Sequence, residues 1–146
     1  MSAFSGLACP FWDRSAAPVL IGLTPASDLA DMRQALLEGI ALLTCGILEA
    51  MNQEVAIGDT VSIDGGVSRS PYFCQFLADA SGRNIALSTF DEITAFGAAQ
   101  LAGLGIGREI AAPANARGQV YRPREVPREV WRARVQSAVG RTSGWR

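Results

Sequence analysis

Residues 61–77, V-S-I-D-G-G-V-S-R-S-P-Y-F-C-Q-F-L, begin as a strand, break at two glycines and restart as a helix. Val61 and Ile63 alternate with Ser62, the period of a strand entering a sheet. Gly65 and Gly66 stop that strand. Glycine takes φ > 0 without a Cβ penalty, and its bare backbone can lie flat against a ligand. Ser68 or Ser70 is placed to cap the next helix, and Pro71 suits a first helical turn, where its missing N–H costs nothing. Phe73, Phe76 and Leu77 then share one helical face. A strand, a glycine turn and a helix N-terminus together make a place for a nucleotide or an anion. The same residues also serve a plain βα chain reversal, and spacing alone leaves both readings open.

Composition narrows the chemistry around this turn. The chain has 146 residues, one domain's worth, with 49% apolar and 18% charged side chains, the balance of a globular core. No apolar run reaches the ~20 residues that a membrane span needs. The start, M-S-A-F-S-G-L-A-C-P, has no basic n-region, so a cytoplasmic chain is expected, without a membrane partner. Cys9, Cys45 and Cys74 are odd in number and well separated, against a disulfide framework or a zinc knuckle. The sequence has no histidine, which excludes Ser-His-Asp and Cys-His catalysis within this chain. All 13 basic residues are arginine, so a P-loop lysine, a protein-kinase lysine and a Schiff base are excluded as well. A nucleotide handled here would be handled by backbone and glycines.

The flanking segments alternate strand and helix, the pattern of α/β layers. Residues 4–13, F-S-G-L-A-C-P-F-W-D, read as a packed loop in which Trp12 anchors the chain; a ligand role for Trp12 and Asp13 is the rarer alternative. Residues 19–21 suggest a short strand. A long helix is expected from Ser27 to about Met51, capped by Ser27 or Asp28. Its apolar positions, Leu29, Met32, Leu36, Ile40, Leu43 and Ile47, recur at steps of three and four, and Leu37, Ala41 and Leu48 widen the stripe enough to predict a largely buried helix. Glu38 and Glu49 lie three turns apart on it, too far for a paired acid and base and more simply solvated. A second strand is expected at 84–87, and a third helix over 94–104 after Asp91-Glu92, rich in small residues suited to close backbone approach. Residues 111–118 read as loop and 120–123 as extended, before a final helix over 127–139. The last thirty residues hold eight arginines against Glu125 and Glu129. Without interleaved aromatics or a reader motif, this is a solvated terminal helix in preference to a nucleic-acid surface.

Taken in order, these segments resemble the C-terminal half of a glycerol kinase-like member of the FGGY carbohydrate kinase family. F-S-G-L-A-C-P-F-W-D resembles the family loop F-[ST]-G-L-x-A-P-[YW]-W-D. I-G-L-T at 21–24 with A-L-L-E-G-I-A at 35–41 resembles its second signature, and I-D-G-G-V-S-R-S at 63–70 resembles V-D-G-G-x-x-x-N. D-E-I-T-A-F-G-A-A-Q-L-A-G-L-G-I-G resembles E-x-T-A-L-G-A-A-Y-L-A-G-L-A-V-G, and Y-R-P near Tyr121 with the closing tryptophan is similar to the family tail.

The resemblance implies an α/β, actin-like (ribonuclease-H-like) ATPase domain, the C-terminal half of a two-domain sugar kinase. It implies loop and strand over about 1–26, a nucleotide-side α/β core over 27–107 and an Arg-rich tail and helix over 108–146. It implies ATP as cosubstrate, with Mg2+ held through the phosphates and no metal ligand in this chain. On the family pattern Gly66 and Ser70 contact the adenosine, with Gly65 expected to join Gly66 in the contacting turn; Ser70 stands where the family has Asn, so a hydroxyl replaces an amide. Pro18 stands where the second signature has a small residue. No catalytic residue is assigned, because the family's catalytic aspartate, first phosphate loop and sugar site lie upstream of the matched region. The expected partner is therefore the N-terminal kinase half or another subunit, with a homo-oligomer also open. The competing reading is a non-catalytic nucleotide- or protein-binding module of the same fold; the stretch at 64–71 is also similar to the G-G-x-[ST]-R-x-P motif of heat-shock chaperones. Nucleic-acid binding through the arginine tail ranks last.

Overall fold

The computed structural model describes residues 1–88, 93–111 and 117–145. Asp91-Glu92 and most of the loop expected at 111–118 lie outside the described residues. Helix α1, Leu29–Glu54, starts at Asp28 in a capping box: the Asp31 N–H donates to Asp28 Oδ1 at 2.9 Å, and the Asp28 N–H donates to Asp31 Oδ2 at 3.1 Å. It runs one turn past the expected end and absorbs Asn52–Glu54 before Val55 closes it.

Strand β1, Thr60–Ile63, leads through one 3-10 turn, Gly66–Arg69, into α2, Pro71–Ser81. Gly82 ends α2 at φ 71°, the left-handed C-cap that glycine favours. Strand β2, Asn84–Ser88, helix α3, Ile93–Gly105, strand β3, Arg117–Tyr121, and helix α4, Arg128–Gly140, follow. The sheet order is β1-β2-β3, with β1 parallel to β2 and β3 antiparallel to β2. Val61 lies opposite Ile85, and Ile85 opposite Tyr121, so one sheet face presents Val61, Ile63, Ile85, Leu87 and Tyr121 to the helices. Ala41 and Cys45 of α1 and Phe73, Cys74, Leu77 and Ala78 of α2 complete that core. A smaller cluster joins the termini: Ala3, Leu7 and Ala16 pack with Leu43 and Val139.

Four expectations change. Residues 19–21 are not a strand: Val19 exchanges backbone hydrogen bonds with Met1 alone, at 2.8 and 3.2 Å, and Leu20 and Ile21 are half exposed with no strand beside them among the described residues. Trp12 does not anchor its loop; it sits at φ 52° and is 76% exposed. Helix α1 is not largely buried, since only Ala41 and Cys45 are buried along its length. It is also long and apolar enough, by length and composition, to cross a membrane, but its carboxylates are tied to α2 and α4 as in a packed domain helix. Helix α3 is apolar all round and mostly exposed, and a Cβ on Gly97 would meet nothing within 4 Å. Only Gly103 uses its small size, lying 2.7 Å (from an ideal Cβ) against the Arg108 carbonyl oxygen.

Candidate functional site

The turn after β1 is built by a dense set of local hydrogen bonds. Gly65 holds φ 100° and ψ 177°, a region that only glycine occupies at low cost. Its carbonyl accepts from the Ser68 N–H at 3.1 Å and from Ser68 Oγ at 2.7 Å, closing the 3-10 turn. The Ser70 N–H then donates to the Val67 carbonyl at 3.1 Å. Ser70, not Ser68, is the N-cap of α2: its Oγ accepts from the Phe73 N–H at 3.3 Å, and Pro71 takes the first helical position. Cys74 Sγ donates to the Ser68 carbonyl from below and fixes the turn onto the helix.

The three residues expected to contact a nucleotide thus share one continuous turn. Gly65 and Gly66 are exposed and Ser70 is half-buried. An ideal Cβ on Gly65 or Gly66 meets nothing within 4 Å, so a bare backbone floor faces open space there. That floor ends at the N-terminus of an 11-residue helix and leaves the backbone open to a flat ligand face. The Ser70 hydroxyl is spent as an acceptor on Phe73 and retains its own O–H to donate. The larger clefts lie elsewhere: one of about 490 Å³ is lined by Phe4, Pro18, Leu20, Leu29 and Leu36, with no residue of the turn. Among the described residues no group of three or more Cys, Asp and Glu could hold a metal ion.

Comparison with known proteins gives the family of this chain. Residues 1–106 match the sequence model of the C-terminal domain of the FGGY family of carbohydrate kinases. The chain belongs to this family. It is 35% identical to the glycerol kinase of Clostridium perfringens over 150 residues, covering 98% of this chain and 30% of that relative. It is 39% identical to the Rhodospirillum rubrum glycerol kinase over 123 residues, covering 84% of this chain and 25% of that one. Among solved structures it is similar to the Plasmodium falciparum glycerol kinase with ADP, at 29% identity and a TM-score of 0.78 over 96% of this chain and 29% of that one. A Brucella ovis xylulose kinase matches at 26% identity and a TM-score of 0.71, again over 96% and 29%. These FGGY kinases share the actin-like ATPase fold, and this chain is a part of its C-terminal domain, spanning about 30% of the length of the curated relatives it matches.

Sequence reasoning missed the polar ties that hold the tail on this FGGY domain. Asp79, 2% exposed, accepts from the Arg124 backbone N–H at 2.8 Å and from Gln75 Nε2 at 2.9 Å on Oδ1, and from the Arg124 guanidinium on Oδ2. Burial pushes the Asp79 carboxyl upward, but the Arg124 hydrogen bonds and charge outweigh it and hold the group below the usual carboxylate range. Arg128 Nε donates to the Asp79 backbone carbonyl. Arg132 Nε donates to Glu49 Oε1 at 2.7 Å, and the Tyr72 hydroxyl donates to Glu38 Oε1. Glu38 and Glu49 are therefore neither a catalytic pair nor simply solvated. Arg124, Arg128 and Arg132 are structural clasps, and α4 is bound to the core through Trp131, stacked on Phe76 with ring centroids 4.8 Å apart. Only Arg128 and Arg132 share a helix, four residues apart on α4; Arg124 precedes it, and its tie to Asp79 carries no local sequence signal.

Proposed function

We propose that this chain is the nucleotide-side part of an ATP-dependent kinase acting on a glycerol-type polyol. The observation that carries the reading is Gly65 held at φ 100° on an exposed, side-chain-free floor that runs into the N-terminus of α2. Gly65 and Gly66 lie against the adenosine, and the Ser70 O–H donates to it where the family resemblance places an asparagine. The family membership and the glycerol kinases among the relatives support the substrate class.

ATP, with Mg2+ on its phosphates, supplies the γ-phosphoryl group for transfer to a primary hydroxyl. Phosphoryl transfer depends on positioning and charge stabilisation more than on covalent help from the protein. This chain's share is positioning: the glycine floor excludes side chains from the nucleoside face, and the Ser68 and Ser70 hydrogen bonds hold that floor rigid. The catalytic base and the polyol site belong to the remainder of the kinase, so the chain alone does not turn over glycerol. The setting is cytoplasmic.

Calorimetric titration of the chain with ATP and with ADP tests the nucleotide reading. Binding that falls at least about 10-fold in a Gly66→Val variant supports it, a change of about 1.4 kcal/mol. A folded chain that binds neither nucleotide overturns it and leaves the non-catalytic module of the same fold.

A further inference from the structure

Helix α2 opens on the glycine turn, and its packing on α1 is apolar. Ala41 and Cys45 of α1 share one core with Phe73, Cys74 and Leu77 of α2. Apolar burial is non-directional, so it sets the spacing of two helices more strictly than their register. A directional bond fixes the register. Tyr72, the second residue of α2, donates its hydroxyl to Glu38 Oε1 on α1. The same oxygen accepts from Gln34 Nε2 at 2.8 Å, one turn earlier on α1, which orients the carboxylate. Among the described residues no other side-chain hydrogen bond joins α1 to α2.

The Tyr72 ring is held as well. It stacks on Phe76 with centroids 6.3 Å apart, and Phe76 stacks on Trp131 of α4. Tyr72 is 45% exposed, so water could satisfy its O–H and burial does not force the bond to Glu38. Partial burial, with the Glu38 carboxylate adding to it, pushes the hydroxyl up to about 12, and it stays a donor at neutral pH. The bond also lies beside the turn. Tyr72 is two residues from Ser70, whose Oγ caps α2 and whose N–H closes on Val67. Pro71 between them has its φ fixed by its ring, so a shift of Tyr72 passes to Ser70 and on into the turn.

We propose that Tyr72 is a positioning residue for the nucleotide: its hydroxyl bond to Glu38 pins the start of α2 on α1 and so holds the turn at 65–70 in the shape that receives the nucleoside. This deepens the reading of that turn as the nucleotide site and rests on it. Tyr72 acts through Ser70 and makes no contact of its own with the nucleoside.

The 146-residue chain and its variants are compared by amide exchange without nucleotide, by calorimetric titration with ADP and by thermal melting. Tyr72→Phe removes the O–H alone and keeps the ring stack. The Ser68 and Ser70 amides should then exchange at least about 10-fold faster and ADP binding should weaken at least about 5-fold, with the melting temperature within about 2 °C of the wild type. Glu38→Ala should move exchange and binding in the same way, and Glu38→Gln, which keeps an acceptor oxygen, should restore both. Arg132→Ala breaks the tie from α4 to Glu49, away from the turn, and should leave exchange and binding within about 2-fold. A general loss of packing would move the Arg132 and Tyr72 variants alike and would not be rescued by Glu38→Gln. Either ADP affinity or Ser68 and Ser70 exchange unchanged in Tyr72→Phe overturns the inference, as does a Glu38→Gln chain that behaves as Glu38→Ala. Should Tyr72→Phe fail to fold, the two Glu38 variants read the same bond from its other end. A wild-type chain that binds no ADP overturns the nucleotide reading and this inference together; a wild-type chain that binds ADP while the variants match it overturns this inference alone.

Discussion

Asp79 on α2 and Arg124 after β3 meet in a fork: Asp79 Oδ2 accepts from Arg124 Nε at 2.9 Å, while Oδ1 accepts the Arg124 backbone N–H at 2.8 Å. The carboxylate is buried and the arginine side chain is 68% exposed, so the pair is anchored from the acid side. Asp79→Ala leaves the Arg124 N–H and the Gln75 amide short of a partner. It should cost about 2 kcal/mol, lowering the melting temperature by roughly 4–8 °C for a chain of this size. Arg124→Ala should cost at least as much as Asp79→Ala, because it leaves the buried Asp79 Oδ2 without its guanidinium partner, whereas the guanidinium left by Asp79→Ala is exposed and already hydrated. Thermal melts of both variants check the ordering.

The same pair sets an acid limit. The folded-state value of Asp79 lies below its ordinary 3.8, so its contribution is fully present above that value. It is lost as pH falls below 3.8 through the lower folded value. Urea midpoints measured between neutral pH and pH 2.5 should therefore fall more steeply for the wild type than for Asp79→Asn.

The two glycines of the turn should separate by stability. Gly65→Ala forces a side chain into a glycine-only region and should destabilise by about 2 kcal/mol. Gly66→Ala meets open space and ordinary backbone, and should shift stability by less than about 0.5 kcal/mol. Denaturant titration of both variants reads this difference directly.

Cys45 should be unreactive. Burial between α1 and α2, with the Glu49 charge adding to it and Arg132 opposing, pushes its thiol up to about 12. At pH 8 the folded chain should label at Cys45 at least about 100-fold more slowly than in denaturant, as followed by mass spectrometry.

Trp131 carries the docking of α4 through its stack on Phe76, which itself lies 6.3 Å from the Tyr72 ring. Trp131→Ala should cost about 2–3 kcal/mol and raise exchange of the α4 amides ahead of those in α2.

Much of the site was legible because its hydrogen bonds are local. The Ser70 cap closes on Phe73, three residues on, and the Gly65 turn closes on Ser68, so residue types in order suffice to mark a strand, a turn and a helix start. Pro71 and Gly82 mark the ends of α2 for the same reason. The strand expected at 19–21 failed because a strand exists only by pairing, and Val19 finds Met1 in place of a neighbouring strand.

The sequence by itself determined the long helix, the caps of α2 and the glycine turn, since each rests on residues within a few positions of one another, and the family, which rests on several such local motifs in order. Only the tertiary structure decided where the arginines go: Arg124 reaches Asp79 across 45 residues and Arg132 reaches Glu49 across 83, contacts that no local spacing specifies. It also decided which of two adjacent glycines is obligatory, because the sharp exit from β1 places the positive φ on Gly65 and leaves Gly66 in a conformation open to other residues. The exposed faces of α1 and α3 belong to the same class of fact: an apolar stripe predicts that something covers it, and only the packed chain shows that the cover is not among its own described residues.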